Sequence, residues 1–252
     1  MIKQLAFSFP VFVFSLPMQD IRFIPFSECA VLLSFGNTID EGIHEQVMKA
    51  KQMIESAPLK GFIETVPAYN SLVVYFNPAE VEKEADTIAA SVIHQLKKII
   101  QTGSQSNDES INHSIINIPV CYDEDYGIDL LELSTQLNLS TDEIIQLHTN
   151  KTYKVFMIGF TPGFPYMGTV HEKLFTKRKA QPRVSIPPGS VAIAGNQTGI
   201  YPLATPGGWN IIGRTAIKIF DQQKENPFLL KAGDMIRFIS ITKKEFEDYT
   251  KR

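Results

Sequence analysis

The chain has 252 residues, 24 Lys and Arg against 27 Asp and Glu, a formal net charge of −3 and 44% hydrophobic content. That length accommodates one large domain or two ordinary ones, each with its own core. No basic surplus exists to neutralise a run of phosphates, so nucleic acid is not the expected partner. The two cysteines, Cys29 and Cys121, lie far apart without metal-ligand spacing and read as buried thiols rather than a disulfide or zinc site, which suits a reducing, cytoplasmic compartment.

In chain order, Leu5–Leu16 is an apolar run behind Lys3 that resembles the core of a secretory signal. It has one basic residue, contains Pro10 and reaches Pro17 without a small-x-small cleavage site, so Met18 is the expected functional start. Ile21–Phe26 and Ala30–Phe35 read as strands, and Ile43, Val47, Ala50 and Ile54 recur at helical spacing. Phe62–Val66 and Leu72–Phe76 form a second strand pair, followed by Val81, Ala85, Ile88, Val92, Leu96 and Ile99 on one helical face. An antiparallel sheet with both helices on one face would bury the two apolar stripes, which predicts an α+β domain over residues 18–100.

Gln101–His113 is rich in Ser, Asn, Gln and Gly and reads as a linker. A strand through Ile116, Ile118 and Val120 opens a second domain, 114–252, followed by two short helices, the second capped by Ser140 and Glu143. Lys154–Ile158 and many short strands with Gly/Pro turns continue to Ile241, where Thr242 and Glu245 cap a last helix. Such a pattern predicts a barrel or sandwich.

Gly159–Gly168 and Gly189–Gly213 carry no charged residue, and between Gly159 and Gly213 lie nine of the 15 glycines and seven of the 15 prolines. Either the Gly and Pro only punctuate barrel strands, or Thr161, Tyr166, Asn196, Gln197, Thr198, Tyr201, Trp209 and Asn210 line a pocket that orients a ligand without ionising groups. Arg183 and Arg214 bracket the second uncharged segment as two forks for a carboxylate or phosphate, the alternative being ordinary rim ion pairs. His148 ends a helix, as a structural cap or a general base. Nucleotide-loop, serine-elbow, zinc-helix and dinucleotide fingerprints are all absent from the sequence.

Ile116–Leu130, Leu147–Thr149, Tyr153–Gly168 and Pro187–Thr215, with Ile21–Gly36 and Val66–Phe76, resemble the family of the B subunit of 5-oxoprolinase, known also as the kinase inhibitor KipI and as allophanate hydrolase subunit 1. The resemblance runs from Gln19 to Ile241. It implies an α+β fold in which an N-terminal α+β sandwich domain precedes a C-terminal cyclophilin-like β-barrel. It implies a protein, inactive alone, that works with a homologous C subunit and an A subunit in ATP-dependent opening of 5-oxoproline to glutamate. The ATP site would be shared with the C subunit, with no metal in this chain.

The motif positions carried over are Pro162, Gly163, Phe164, Tyr166, Arg183, Gly195, Gln197, Thr198, Tyr201, Pro206, Trp209 and Arg214. In the enzyme reading, Gln197 and Thr198, with His148, serve the chemistry and the remaining positions bind the substrate. The alternative is an inhibitor that docks on a sensor histidine kinase through a groove of Phe164, Tyr166 and Trp209.

Overall fold

The computed structural model describes residues 21–103 and 114–251. The expected leader, the Met18 start and the linker stretch 104–113 lie outside the described residues.

Strands β1 (Arg22–Ser27), β2 (Ala30–Ser34), β3 (Phe62–Pro67) and β4 (Ser71–Phe76) form an antiparallel sheet in the order β1-β2-β4-β3. Helices α1 (Glu41–Ser56) and α2 (Ile88–Gly103) cover one face of it. Alternation makes this work: Leu72, Val74 and Phe76 on β4, with Val31 and Leu33 on β2, meet Val47, Ala50 and Ile54 of α1 and Val92, Leu96 and Ile100 of α2. Burying each such Val, Leu or Ile contributes about 1.5–3 kcal/mol. Asp40 starts α1 by accepting the Ile43 N–H at 2.9 Å.

The second helix is shorter than its apolar stripe. Val81 is buried in the core but precedes the helix. The Thr87 hydroxyl accepts the Ala90 N–H, and Ser91 Oγ takes the N–H groups of Glu84 and Ala85. These side-chain acceptors hold residues 84–87 in a turn and fix the helix start after Thr87. At its other end α2 runs through Gly103, three residues into the segment read as linker.

The remaining strands close a seven-stranded barrel in the order β10-β7-β6-β13-β5-β12-β9. They are β5 (Ile115–Cys121), β6 (Thr152–Ile158), β7 (Pro165–Gly168), β9 (Ser190–Ala194), β10 (Gln197–Ile200), β12 (Asn210–Arg214) and β13 (Met235–Ile241). Only β5 and β13 pair in parallel, with Ile115 opposite Met235 through Cys121 opposite Ile241. Strands β8 (Arg183–Ile186) and β11 (Thr205–Gly207) form a separate two-stranded ribbon. Helices α3 (Leu130–Leu137) and α4 (Thr141–Thr149) link β5 to β6, and α5 (Lys243–Thr250) ends the described chain. Complete capping boxes, Ser140 with Glu143 and Thr242 with Glu245, open α4 and α5 where the sequence placed them.

Candidate functional site

The charge-free stretch owes its composition to burial on two sides. On β9, Val191 and Ile193 point into the barrel core, while Ala192 and Ala194 face a second cluster outside the barrel wall. On β12 Ile212 points in and Ile211 out, and on β7 Met167 points in while Tyr166 packs against the outer cluster. A strand covered on both faces tolerates no charge on either. The outer cluster holds Phe164, Ile186, Tyr201, Trp209 and Ile211 under the β8–β11 ribbon.

Phe164 and Trp209 are almost wholly buried, with ring centroids 5.5 Å apart and perpendicular planes. Phe164 also meets Tyr166 at 4.8 Å and Tyr201 at 5.1 Å, edge to face. The docking groove expected from Phe164, Tyr166 and Trp209 is therefore a packed wall, of which Tyr166 alone is half-exposed. Phe160 lies over this wall, 59% exposed and with φ 65°, held in a tight loop by the Phe164-to-Thr161 and Gly159-to-Phe164 backbone hydrogen bonds. In the same loop Pro162 is exposed, Gly163 packs on Phe220, and the Thr161 hydroxyl is buried without a partner among the described residues.

His148 and Thr198 are brought together, but inside the barrel. His148 Nε2 lies 2.9 Å from Thr198 Oγ1 and Nδ1 lies 2.8 Å from the Tyr122 hydroxyl. Thr198 in turn donates to the Ala192 carbonyl, so the network assigns the ring proton to Nε2, with Tyr122 donating to Nδ1. The ring stacks on Phe238 at 4.5 Å, and desolvation holds its pKa down at about 3. Both side chains are fully buried, so this pair is a cross-brace between α4 and β10.

Gln197 faces the other way. Its Nε2 donates to the Tyr69 hydroxyl at 2.7 Å, tying the barrel to the turn between β3 and β4. Tyr69 lies 5.5 Å from Phe156 and 6.2 Å from Tyr166. Burial pushes the Tyr69 hydroxyl up to about 12 against the opposing pull of Gln197 and of the Arg178 charge.

The two expected anion forks do not converge. Arg183 makes a bidentate pair with Asp129, 2.6 and 3.0 Å, and Asp129 also takes Lys179 at 2.9 Å and the Ile211 N–H at 2.7 Å. Arg214 stands at the opposite end of β12, about 10 Å along the strand from Ile211 at the usual rise per residue. Its Nε donates to the Pro188 carbonyl at 2.8 Å beside a recess of about 390 Å³ under α5. Gly195, in the β9–β10 turn, and Pro206, on β11, are exposed.

Sequence reading missed Arg178. It lines an open recess of about 710 Å³ with Lys177, Lys179, Glu132, Gln181 and Asn210, and its guanidinium carbon lies 5.9 Å from the Trp209 ring centroid. Lys179 is paired with Asp129 and Glu132, and Lys177 and Arg178 have no carboxylate partner among the described residues, which makes this recess positive on a chain of net negative charge. The run Lys177-Arg178-Lys179 just before the Pro-Arg motif was the available signal. Among the described residues no group of acidic, histidine or cysteine side chains could hold a metal ion, and no helix is long and apolar enough to cross a membrane.

Residues 21–230 match the carboxyltransferase domain, subdomain C and D, family. The chain is 41% identical over 224 residues to the B subunit of 5-oxoprolinase from Bacillus subtilis (strain 168), covering 88% of this chain and 93% of that protein. It is 35% identical over 222 residues to the B subunit of 5-oxoprolinase from Escherichia coli O157:H7, covering 88% and 97%. The crystal structure of TTHA0988 superposes with a TM-score of 0.72 at 34% identity over 84% of this chain, which spans 40% of the length of that one.

Proposed function

The chain belongs to the family of the carboxyltransferase domain, subdomain C and D, and of the 5-oxoprolinase B subunit, and from that premise we propose that it is the B subunit of an ATP-dependent 5-oxoprolinase. The observation that carries the reading is the near full-length match, 93% of the Bacillus subtilis protein at 41% identity. In this reading the protein is cytoplasmic, its barrel is of the cyclophilin-like kind, and it is inactive without its C and A subunits.

The outer face of the barrel supports a binding role. Tyr166, Phe160 and Tyr69 give a half-exposed aromatic surface, and the neighbouring recess is positive. 5-Oxoproline is a small planar lactam with one carboxylate, so apolar contact for the ring and cationic contact for the carboxylate are what it needs. His148 and Thr198 act here as positioning residues that hold β10, and Gln197 orients Tyr69.

Opening the lactam requires activation of its amide, which ATP supplies by phosphoryl transfer. The described residues do not fit a triphosphate: no glycine run leads into a helix, and the buried Asp129 carboxylate just before α3, held by Arg183, Lys179 and the Ile211 N–H, opposes a second anion there. The nucleotide contacts are assigned to the partner subunits.

The test is reconstitution of the three subunits with ATP and 5-oxoproline, following glutamate. Turnover should require this chain and be absent from it alone. Full activity in a mixture lacking it would overturn the assignment.

A further inference from the structure

Cations around the positive recess are unequally satisfied. Lys179 is neutralised by Asp129 at 2.9 Å and Glu132 at 2.8 Å, and both arms of the Arg183 fork are on Asp129. Arg178 is exposed and has no carboxylate within ion-pair distance among the described residues. What surrounds it is aromatic: the Trp209 ring lies at 5.9 Å, and its charge reaches the hydroxyls of Tyr69, Tyr166 and Tyr201. An arginine placed over an indole presents its N–H edge outward, and that edge matches a carboxylate bidentately. The Asn210 amide at the recess wall is already spent on the Lys177 and Ile193 carbonyls, so the charged fork available there is that of Arg178.

We propose that Arg178 is the carboxylate anchor of this protein, holding a small cyclic carboxylate at the lip of the recess with its ring against Tyr166 and Tyr69. The proposal rests on the oxoprolinase reading for the identity of the ligand. It moves the anion contact from Arg183 and Arg214, the forks suggested by the sequence, to a residue that lies in neither uncharged segment. A purely structural stack of Arg178 on Trp209 would affect stability and leave ligand binding untouched.

The experiment uses the assembled complex carrying the wild-type, Arg178→Ala or Arg178→Lys chain. Arg178→Ala should raise the KM for 5-oxoproline roughly tenfold or more, the loss of one charge-assisted contact, with kcat changed far less. Arg178→Lys should recover part of that loss. Calorimetry on the same complexes should show 5-oxoproline binding weakened in Arg178→Ala, while 2-pyrrolidinone, which lacks the carboxylate, binds equally weakly to all three. An unchanged KM and unchanged 5-oxoproline binding in Arg178→Ala would overturn the proposal. If the wild-type complex turns over no 5-oxoproline, the functional reading fails separately. Calorimetry with proline and succinate then decides the anchor: binding lost in Arg178→Ala supports it, and wild-type binding of neither overturns it.

Discussion

Asp129 shows at the scale of one residue how burial decides what a charge is for. It is 1% exposed and holds two cations and a backbone N–H, so it is the hub that locks the β8–β11 ribbon and α3 onto β12. Removing one partner of a buried pair strands the other, which is worse than never having made the pair. Asp129→Asn leaves Arg183 without a counter-charge and Lys179 with Glu132 alone, and should cost about 3 kcal/mol. Arg183→Ala should cost less, about 1–2 kcal/mol, because Lys179 still neutralises Asp129 and Arg183 is itself partly exposed. Urea unfolding of both variants gives the order; equal, negligible losses would mean that the cluster is solvated.

At the scale of elements, two turns of the barrel need left-handed glycines for different reasons. Gly189, with φ +81°, enters β9, and a Cβ there would run into the Thr215 carbonyl oxygen. Gly195, with φ +60°, joins β9 to β10 and has nothing within 4 Å of a Cβ position. Alanine at Gly195 should cost only the conformational penalty, about 1 kcal/mol. Alanine at Gly189 adds a backbone clash that cannot relax without opening the β12 end of the sheet, and should cost about 3 kcal/mol or more. Thermal unfolding of the two variants separates these effects, and a smaller loss at Gly189 than at Gly195 would contradict the packing described. The sequence showed the same glycines and could not rank them, because rank depends on which strand lies across the turn.

Across the whole molecule, the α+β layer is tied to the barrel by one buried hydrogen bond and two partly exposed polar contacts. His44 of α1 donates to the Phe156 carbonyl at 2.7 Å, Lys154 pairs with Glu45 at 3.0 Å, and Gln197 reaches Tyr69. Burial pulls the His44 pKa down to about 4, as it pulls His148 to about 3. Between those values and the ordinary 6.5 the unfolded chain binds more protons than the folded one, so stability falls as pH drops through this window. Each ring contributes about 1.4 kcal/mol per pH unit well below 6.5 and half that slope at 6.5 itself, so the pair should remove about 3 kcal/mol between pH 6.5 and 5. Denaturant midpoints should be insensitive to these rings above pH 7 and decline below 6.5; a flat profile to pH 5 would mean that both rings are hydrated.

The family was legible in the long uncharged motifs. So were most strands, both capping boxes and the sheet with two helices, because periodicity and capping are local and each is written within a dozen residues. Val81 misled, since an apolar residue at helical spacing can be buried without being helical when Thr87 and Ser91 offer the backbone another partner. The site was less legible. Gly, Pro and uncharged residues between Gly159 and Gly213 left open a pocket or punctuated strands; β9 is buried on both faces, Phe160, Pro162 and Pro206 are exposed, and His148 with Thr198 lies in the core. Which arginine is free depends on where Asp129 sits, and Asp129 is 54 residues from the Arg183 it neutralises. Local propensity and apolar period are fixed by neighbours in the chain, whereas the pairing of a charge and the accessibility of a ring are fixed by neighbours in space, and those are set only when the barrel closes.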